Sequence, residues 1–415
     1  MTLAVTGALL DGVAVGLRVE DGLISDLGPS VEPRERDEVI DAGGMLLTPP
    51  MVNGHTHAAM TLFRGFGDDM ALMEWLETRI WPAEAKLEPE DVYWGTRLAC
   101  IEMIRSGTGR FFDMYWHGVE VARAVTDAGL RAAISSVIID GLDAAKGESM
   151  RGEALELLDH LAGAGELVTP SLGPHAIYTV SSESLAWIAE VAAERDIPVQ
   201  IHLSETNQEV DDCVAAYGKR PAEYLDELGF LGPRTILAHG VWLDPSELEL
   251  IADRNATVVT NPAANMKLAV GGALPYEDAE KAGVALGLGT DGVSSNSNLD
   301  MFEEVKLFAL IQKHASGDAA TLPATAALEI ARGRRSARLG GTPLATGEPA
   351  DFLLLRASDP ELSAGDPEAD LVYAANGSVV DTTVVAGRVL MRDRVVPGAA
   401  EIAAQVRSRS ERLTR

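Results

Sequence analysis

The sequence predicts an α/β chain in which eight strand–helix units close into a barrel and both chain ends join in a small β-sandwich beside it. Three observations predict this. From about residue 48 to 341, short apolar runs alternate with amphipathic stretches, and strands alternating with helices imply parallel pairing that eight units can close. The two ends instead carry short alternating segments with turn signals at Asp21-Gly22 and Gly387, too few at either end to bury a face alone. No G-x-G-x-x-G turn follows the first strand, which argues against an open doubly wound sheet. The expected divisions are 1–47 and 342–415 for the two parts of the sandwich and 48–341 for the barrel.

In chain order, 4–9, 13–20 and 23–27 read as strands of the small domain. The eight apolar runs expected to build the barrel are 45–51, 109–115, 131–139, 167–172, 197–203, 235–241, 256–260 and 284–288. Helical spacing is clear between them. In 182–195 the apolar positions Leu185, Ile188, Ala189 and Ala192 recur at three and four. Segments 351–355, 371–374, 383–386 and 389–391 read as strands again, and 399–415 as a terminal helix.

Composition bounds the function. With 47% hydrophobic and 23% charged residues the chain is an ordinary globular one. Its apolar runs fall far short of a membrane span, and the first twenty residues, with Asp11 and Arg18, show no secretory signal. Sixty-three acidic against 34 basic side chains give −29, which excludes nucleic acid or an anionic membrane as the main partner. The excess is a plain solvated acidic surface or an adaptation to high salt. Two cysteines, Cys100 and Cys213, make no disulfide framework and fit buried thiols in a cytoplasmic protein.

Chemistry in a barrel of this kind sits where the strands end. The first run leads into Asn53-Gly54-His55-Thr56-His57, the second ends near Asp113 and His117, and the fourth ends in Gly173-Pro174-His175. The fifth ends in His202-Leu203-Ser204-Glu205, the sixth in His239-Gly240 and the eighth in Gly289-Thr290-Asp291-Gly292. Five of eight histidines therefore close four runs. Residues i and i+2 on a strand share a face, so His55 and His57 can reach one ion. An H-x-H alone does not separate a metal ligand from a structural pair. With His202 and Asp291 it forms a His₃–Asp set suited to Zn²⁺ or Fe²⁺ with room for water. Asp291 alone could cap the next helix, and Glu205 alone could be a loop acid. Together they read as ligand-and-base and as proton shuttle, with His239 orienting the nucleophile.

These same segments, with Pro49-Pro50-Met51-Val52 ahead of the first histidine, resemble the amidohydrolase superfamily, in its cytosine/adenosine-deaminase-like branch. The resemblance runs essentially end to end. It implies a distorted (β/α)₈ TIM-type barrel and one divalent metal held by His55, His57, His202 and Asp291. Two-metal members carry a bridging lysine after strand 4, and 170–178 has none. The commoner Pro-Gly is Pro49-Pro50 here, a change confined to a turn. Within the branch, 57–65, Glu74-Trp75-Leu76, Trp81-Pro82-Ala83-Glu84 and Ser294-Ser295-Asn296 are similar to the 5′-methylthioadenosine/S-adenosylhomocysteine deaminases. That similarity implies removal of the 6-amino group of an adenine nucleoside by metal-activated hydroxide. It assigns Trp75 to the nucleoside pocket, Glu84 to the ribose hydroxyls and His175 to the purine. Arg151 is assigned to a homocysteine carboxylate, and Ser295 is counted with the substrate contacts. Ser136 stands where some members place a second arginine, so methylthioadenosine, deoxyadenosine and adenosine stay open. The family's habit implies a homo-oligomer. The rivals are guanine or pterin deamination and s-triazine hydrolysis in the same branch, and, in another class, a non-catalytic scaffold relative. The full ligand set argues against the last.

Overall fold

The structure, a computed structural model, describes residues 2–363 and 365–415. Its larger sheet is a ring of parallel strands: β1 Met51–His57, β2 Thr108–Tyr115, β3 Arg131–Ile138, β4 Val168–Pro174, β5 Val199–Leu203, β6 Thr235–His239, β7 Thr257–Thr260 and β8 Ala285–Leu288. The ring closes through the two residues Asp291–Gly292, which pair with Thr56 and His57 of β1. That crossing is tight. A Cβ on Gly289 would lie 2.4 Å from Asn261 Oδ1 and 2.7 Å from the His55 carbonyl, so a glycine is needed where β8 passes β1.

Period-two alternation sorts the side chains. On β2, Phe111 faces the outer helices, whereas Phe112 packs inside the barrel with Val52, Ala133, Ile236, Val259 and Leu339. Both are essentially unexposed, worth about 2–3 kcal/mol each against an exposed ring. The helix expected at 182–195 spans Ser182–Arg195, with Ser181 accepting from the Ser184 N–H as its cap.

Both chain ends contribute to a second sheet. Its order is Arg388–Met391, Val380–Val385, Phe352–Arg356, Met45–Thr48, Leu3–Leu10, Val13–Glu20 and Leu23–Gly28, with Glu38–Asp41 beside Leu3–Leu10. Here the expected first barrel run, 45–51, is corrected. Met45–Thr48 belongs to this second sheet, antiparallel to Phe352–Arg356, and the barrel begins only at Met51. Pro49-Pro50 offers no backbone donor and splits one apolar run between two sheets. A second correction concerns 371–374, expected as a strand. It lies in the helix Pro367–Tyr373, which has proline in its first turn and Asp366 accepting from the Glu368 N–H. Four apolar residues are too few for periodicity to separate helix from strand.

The terminal helix Ala399–Leu413 returns to the barrel, where Arg409 and Arg412 reach the buried Asp91 and Leu413 is buried. No helix among the described residues is long and apolar enough to cross a membrane.

Candidate functional site

At the C-terminal mouth of the barrel, β1 and the residues after β8 are buttoned together. Asn53 Nδ2 donates to Thr290 Oγ1 at 2.7 Å, and the Thr290 N–H donates to Asn53 Oδ1 at 3.0 Å. This fixes Asp291, whose left-handed φ of +57° turns its carboxylate inward. Ser295 Oγ donates to Asp291 Oδ2 at 2.7 Å. Asp291 Oδ1 lies 3.2 Å from His57 Nε2 and 3.6 Å from His55 Nε2. His202 Nε2 lies 3.1 Å from His55 Nε2 and 3.3 Å from His57 Nε2.

What these histidines do is decided by their other nitrogens. His55 Nδ1 faces Gln200 Oε1 at 3.1 Å, and Gln200 Nε2 donates to the Asp113 carbonyl and Ser135 Oγ, so its oxygen must face the imidazole. His57 Nδ1 meets the Met114 carbonyl at 2.6 Å, His202 Nδ1 the His175 carbonyl at 2.8 Å, and His239 Nδ1 the Asn265 Oδ1 at 2.8 Å. Each acceptor calls for a proton on Nδ1 and leaves a lone pair on Nε2. Two such Nε2 atoms at 3.1 Å have no hydrogen to share between them. A cation resolves the conflict. Donor atoms about 2.0–2.1 Å from a tetrahedral Zn²⁺ stand about 3.3–3.4 Å apart, close to the four separations observed. The donor set thus fits a metal ion. Ligand atoms of His55, His202, His239 and Asp291 also lie within 4.8 Å of one another, so five groups ring this point.

Among the protein's own groups the charges fall unevenly. Burial pushes His55 down to about 4. Burial also works against a charge on His57, but the Asp291 carboxylate outweighs it and holds His57 up at about 9. Asp291 is held well below the usual carboxylate range by both histidines despite its burial. The site therefore favours positive charge beside Asp291.

Glu205 lies across this point, 6% exposed, with Oε1 3.8 Å from His239 Nδ1. Burial first, and the Asp291 charge second, push its carboxyl up to about 8. It is protonated at neutral pH and can donate.

A cavity opens above these groups. Trp75, Glu84, His175 and Ser295 line it. Glu84 is anchored by Tyr115, whose hydroxyl donates to Oε1 at 2.7 Å, and by Trp116 Nε1, which donates to Oε2 at 3.3 Å. Burial raises the Glu84 carboxyl, and these two donors oppose it. His175 Nδ1 meets Thr179 Oγ1 at 2.9 Å, and that hydroxyl donates to the Ala176 carbonyl, which leaves His175 Nε2 as an acceptor. Arg151 is not on the wall: it pairs with Glu183 at 3.0 Å and bonds Ser184 Oγ. Ser136 is not on the wall either, although its neighbours Val137 and Ile139 are. His117 stands outside the wall at the start of the helix Gly118–Ala128.

The sequence reading passed over Gln200, Asn265, Tyr115, Trp116 and Glu209. Gln200 had a usable signal: it stands two residues before His202 and shares its face. Tyr115 and Trp116 follow Asp113 at a strand end already singled out. Asn265 lies in the helix Pro262–Lys267 after β7, where no apolar pattern points to it.

Comparison with known proteins is consistent with this geometry. Residues 46–390 match the profile of the amidohydrolase family. A protein of Methanoregula boonei named 5′-deoxyadenosine deaminase is 48% identical over 94% of this chain and 90% of its own. A Thermococcus sibiricus protein named 5-methylthioadenosine/S-adenosylhomocysteine deaminase is 42% identical over 93% of this chain and 91% of its own. Among solved structures, a zinc-bound adenosine deaminase from Xanthomonas campestris superimposes with a TM-score of 0.90 at 33% identity, covering 99% of this chain and 98% of the other.

Proposed function

The chain belongs to the amidohydrolase family, and on that premise we propose that it hydrolyses the 6-amino group of an adenine nucleoside, giving the 6-oxo purine nucleoside and ammonia. The observation that carries this reading is one cavity holding both a metal-type cluster and the buried, non-liganding Glu205, with Glu84 and Trp75 on its wall. His55, His57, His202 and Asp291 would hold one divalent ion, with Zn²⁺ the proposed one and Fe²⁺ the alternative. When bound, such an ion acidifies water and so supplies a nucleophile near neutral pH. Asp291 takes the water's proton on its carboxylate. Glu205 delivers its proton to purine N1, protonates the departing amine with the proton that Asp291 took, and is reprotonated by the C6 hydroxyl as the 6-oxo group forms. His239, its Nδ1–H fixed on Asn265, turns Nε2 toward the reacting centre and orients the attack. Glu84 accepts from the ribose hydroxyls, His175 Nε2 meets the purine edge, Trp75 packs on the nucleoside, and Ser295 holds Asp291 through its Oδ2.

The open question is the 5′ group. No lysine or arginine lines the wall among the described residues, and Arg151 reaches a 5′ carboxylate only by leaving Glu183. Methylthioadenosine, 5′-deoxyadenosine and adenosine therefore suit this pocket better than S-adenosylhomocysteine. A cytoplasmic, homo-oligomeric enzyme belongs to the same reading, the former supported by two buried free cysteines. The deciding experiment is ammonia release from these four nucleosides, guanine and cytosine. Turnover of adenine nucleosides alone is expected, and turnover of only the free bases overturns the reading.

A further inference from the structure

The turn that carries Glu205 is strained. Ser204 has φ of +50°, a left-handed conformation uncommon for a residue with a Cβ. Its hydroxyl is buried without a hydrogen-bond partner, so its own side chain does not hold it there. Glu209 does. One carboxylate oxygen, Oε1, accepts from the Ser204 N–H at 2.9 Å, and Oε2 accepts from the Glu205 N–H at 2.9 Å. The same turn is tied on its far side to the loop after β6. The Trp242 N–H donates to the Ser204 carbonyl at 2.9 Å and the Gly240 N–H to the Leu203 carbonyl at 3.0 Å. His239, the last residue of β6, is also left-handed at φ +75°. Two strained strand ends thus present Glu205 and His239 to each other.

Helix capping does not account for Glu209. It lies in the first turn of the helix Asn207–Tyr217, but Thr206 Oγ1 already caps that helix by accepting from the Glu209 N–H. Nor does ion pairing: Glu209 is 6% exposed, and among the described residues no cation is one of the groups acting on it. Burying this carboxyl is costly: burial pushes it up to about 8 and the Ser204 and Glu205 amides oppose that rise, and with an N–H donor facing each oxygen the ionised form is the one the clamp fits.

We propose that Glu209 is a positioning residue whose two-point clamp on the Ser204 and Glu205 amides aims Glu205 into the cavity beside His239. This rests on Glu205 being the proton-shuttling acid. An amide cannot reproduce the clamp, because its NH₂ would face a backbone N–H donor. A misplacement of about 1 Å at a reacting group costs on the order of 100-fold in rate.

The test compares Glu209→Gln, Glu205→Gln and the parent on 5′-deoxyadenosine and methylthioadenosine, with metal content and thermal melting measured on each. Glu209→Gln is expected to lose about 100-fold in kcat, to keep KM within about threefold, and to keep its metal. Adding Ser204→Gly, which adopts the left-handed turn without a Cβ penalty, is expected to restore kcat about tenfold, a rescue that lost stability alone would not produce. A Glu209→Gln kcat within threefold of the parent, or a loss that Ser204→Gly leaves unchanged, overturns the proposal. If Glu209→Gln does not fold, Glu209→Asp, which withdraws the carboxylate by one methylene, is judged by the same two criteria. Full activity of Glu205→Gln would instead overturn the reading of Glu205, which separates the two failures.

Discussion

Two buried polar clusters in this chain are satisfied in opposite ways. In the terminal sheet, Arg18 is 3% exposed, and its guanidinium donates to Asp37 at 2.8 and 3.1 Å, to Glu20 at 2.9 Å and to Asp26 at 3.2 Å. Each of its three nitrogens meets an acceptor. At the barrel mouth, the fixed Nδ1 protons leave the Nε2 lone pairs of His55, His57 and His202 converging with the Asp291 carboxylate. The first cluster is complete within the protein, and the second is complete only with a cation. Burial and charge therefore do not by themselves mark a functional site. The mark is acceptors aimed at one point, the His55 and His202 Nε2 lone pairs facing each other at 3.1 Å among them.

The sharpest way to break this contrast is chelation. Stripping the protein of metal should reduce ammonia release to background and lower the melting temperature, both restored by stoichiometric Zn²⁺, while the Arg18 cluster is indifferent to it. Metal analysis should give about one ion per chain, and a ratio near two or zero defeats the single-ion reading. Next in size, Glu205→Gln should cost about 10²–10⁴-fold in kcat with metal retained and no loss of melting temperature. Gln200→Leu removes the acceptor that sets the His55 tautomer and should weaken metal affinity by about 10–100-fold, measured by competition with a chromogenic chelator.

On the other side of the comparison, Arg18→Met should leave kcat and metal content unchanged but cost about 2 kcal/mol in urea unfolding. That is less than the ~3–5 kcal/mol for a fully interior pair, because Glu20 and Asp26 are 41% and 43% exposed and water reaches that rim. The smallest effect is in acid. The Arg18 guanidinium, then the Arg34 amide, hold the Asp37 carboxyl far below the usual range. A depressed folded value gives stability that is present above the unfolded value, about 3.9, and lost as pH falls below it. The melting temperature of the parent should therefore drop below about pH 4, and Arg18→Met should flatten that drop.

The barrel was legible because its strands are buried on both faces and read as short apolar runs between amphipathic helices. The exceptions are instructive. Residues 45–51 read as one apolar run in sequence, and only the two prolines within it, together with Phe352–Arg356 waiting more than three hundred residues away, place Met45–Thr48 and Met51 in different sheets. Leu371 and Val372 are buried from a helix, not a strand, because so short a run fits either.

His55, His57, His202, Asp291 and Glu205 were found because each stands at a strand end, a position that a parallel barrel gathers at one mouth. The sequence by itself determined which chemical groups that mouth holds, since strand ends and residue types are local facts. Only the tertiary structure decided what those groups can do. Gln200 on β5 and Asn265 beyond β7 fix the tautomers of His55 and His239, and Tyr115 and Trp116 orient Glu84. Glu183 takes Arg151 away from the cavity. Such pairings join residues far apart in the chain through single hydrogen bonds, which leave no periodic trace in sequence and exist only once the ring has closed.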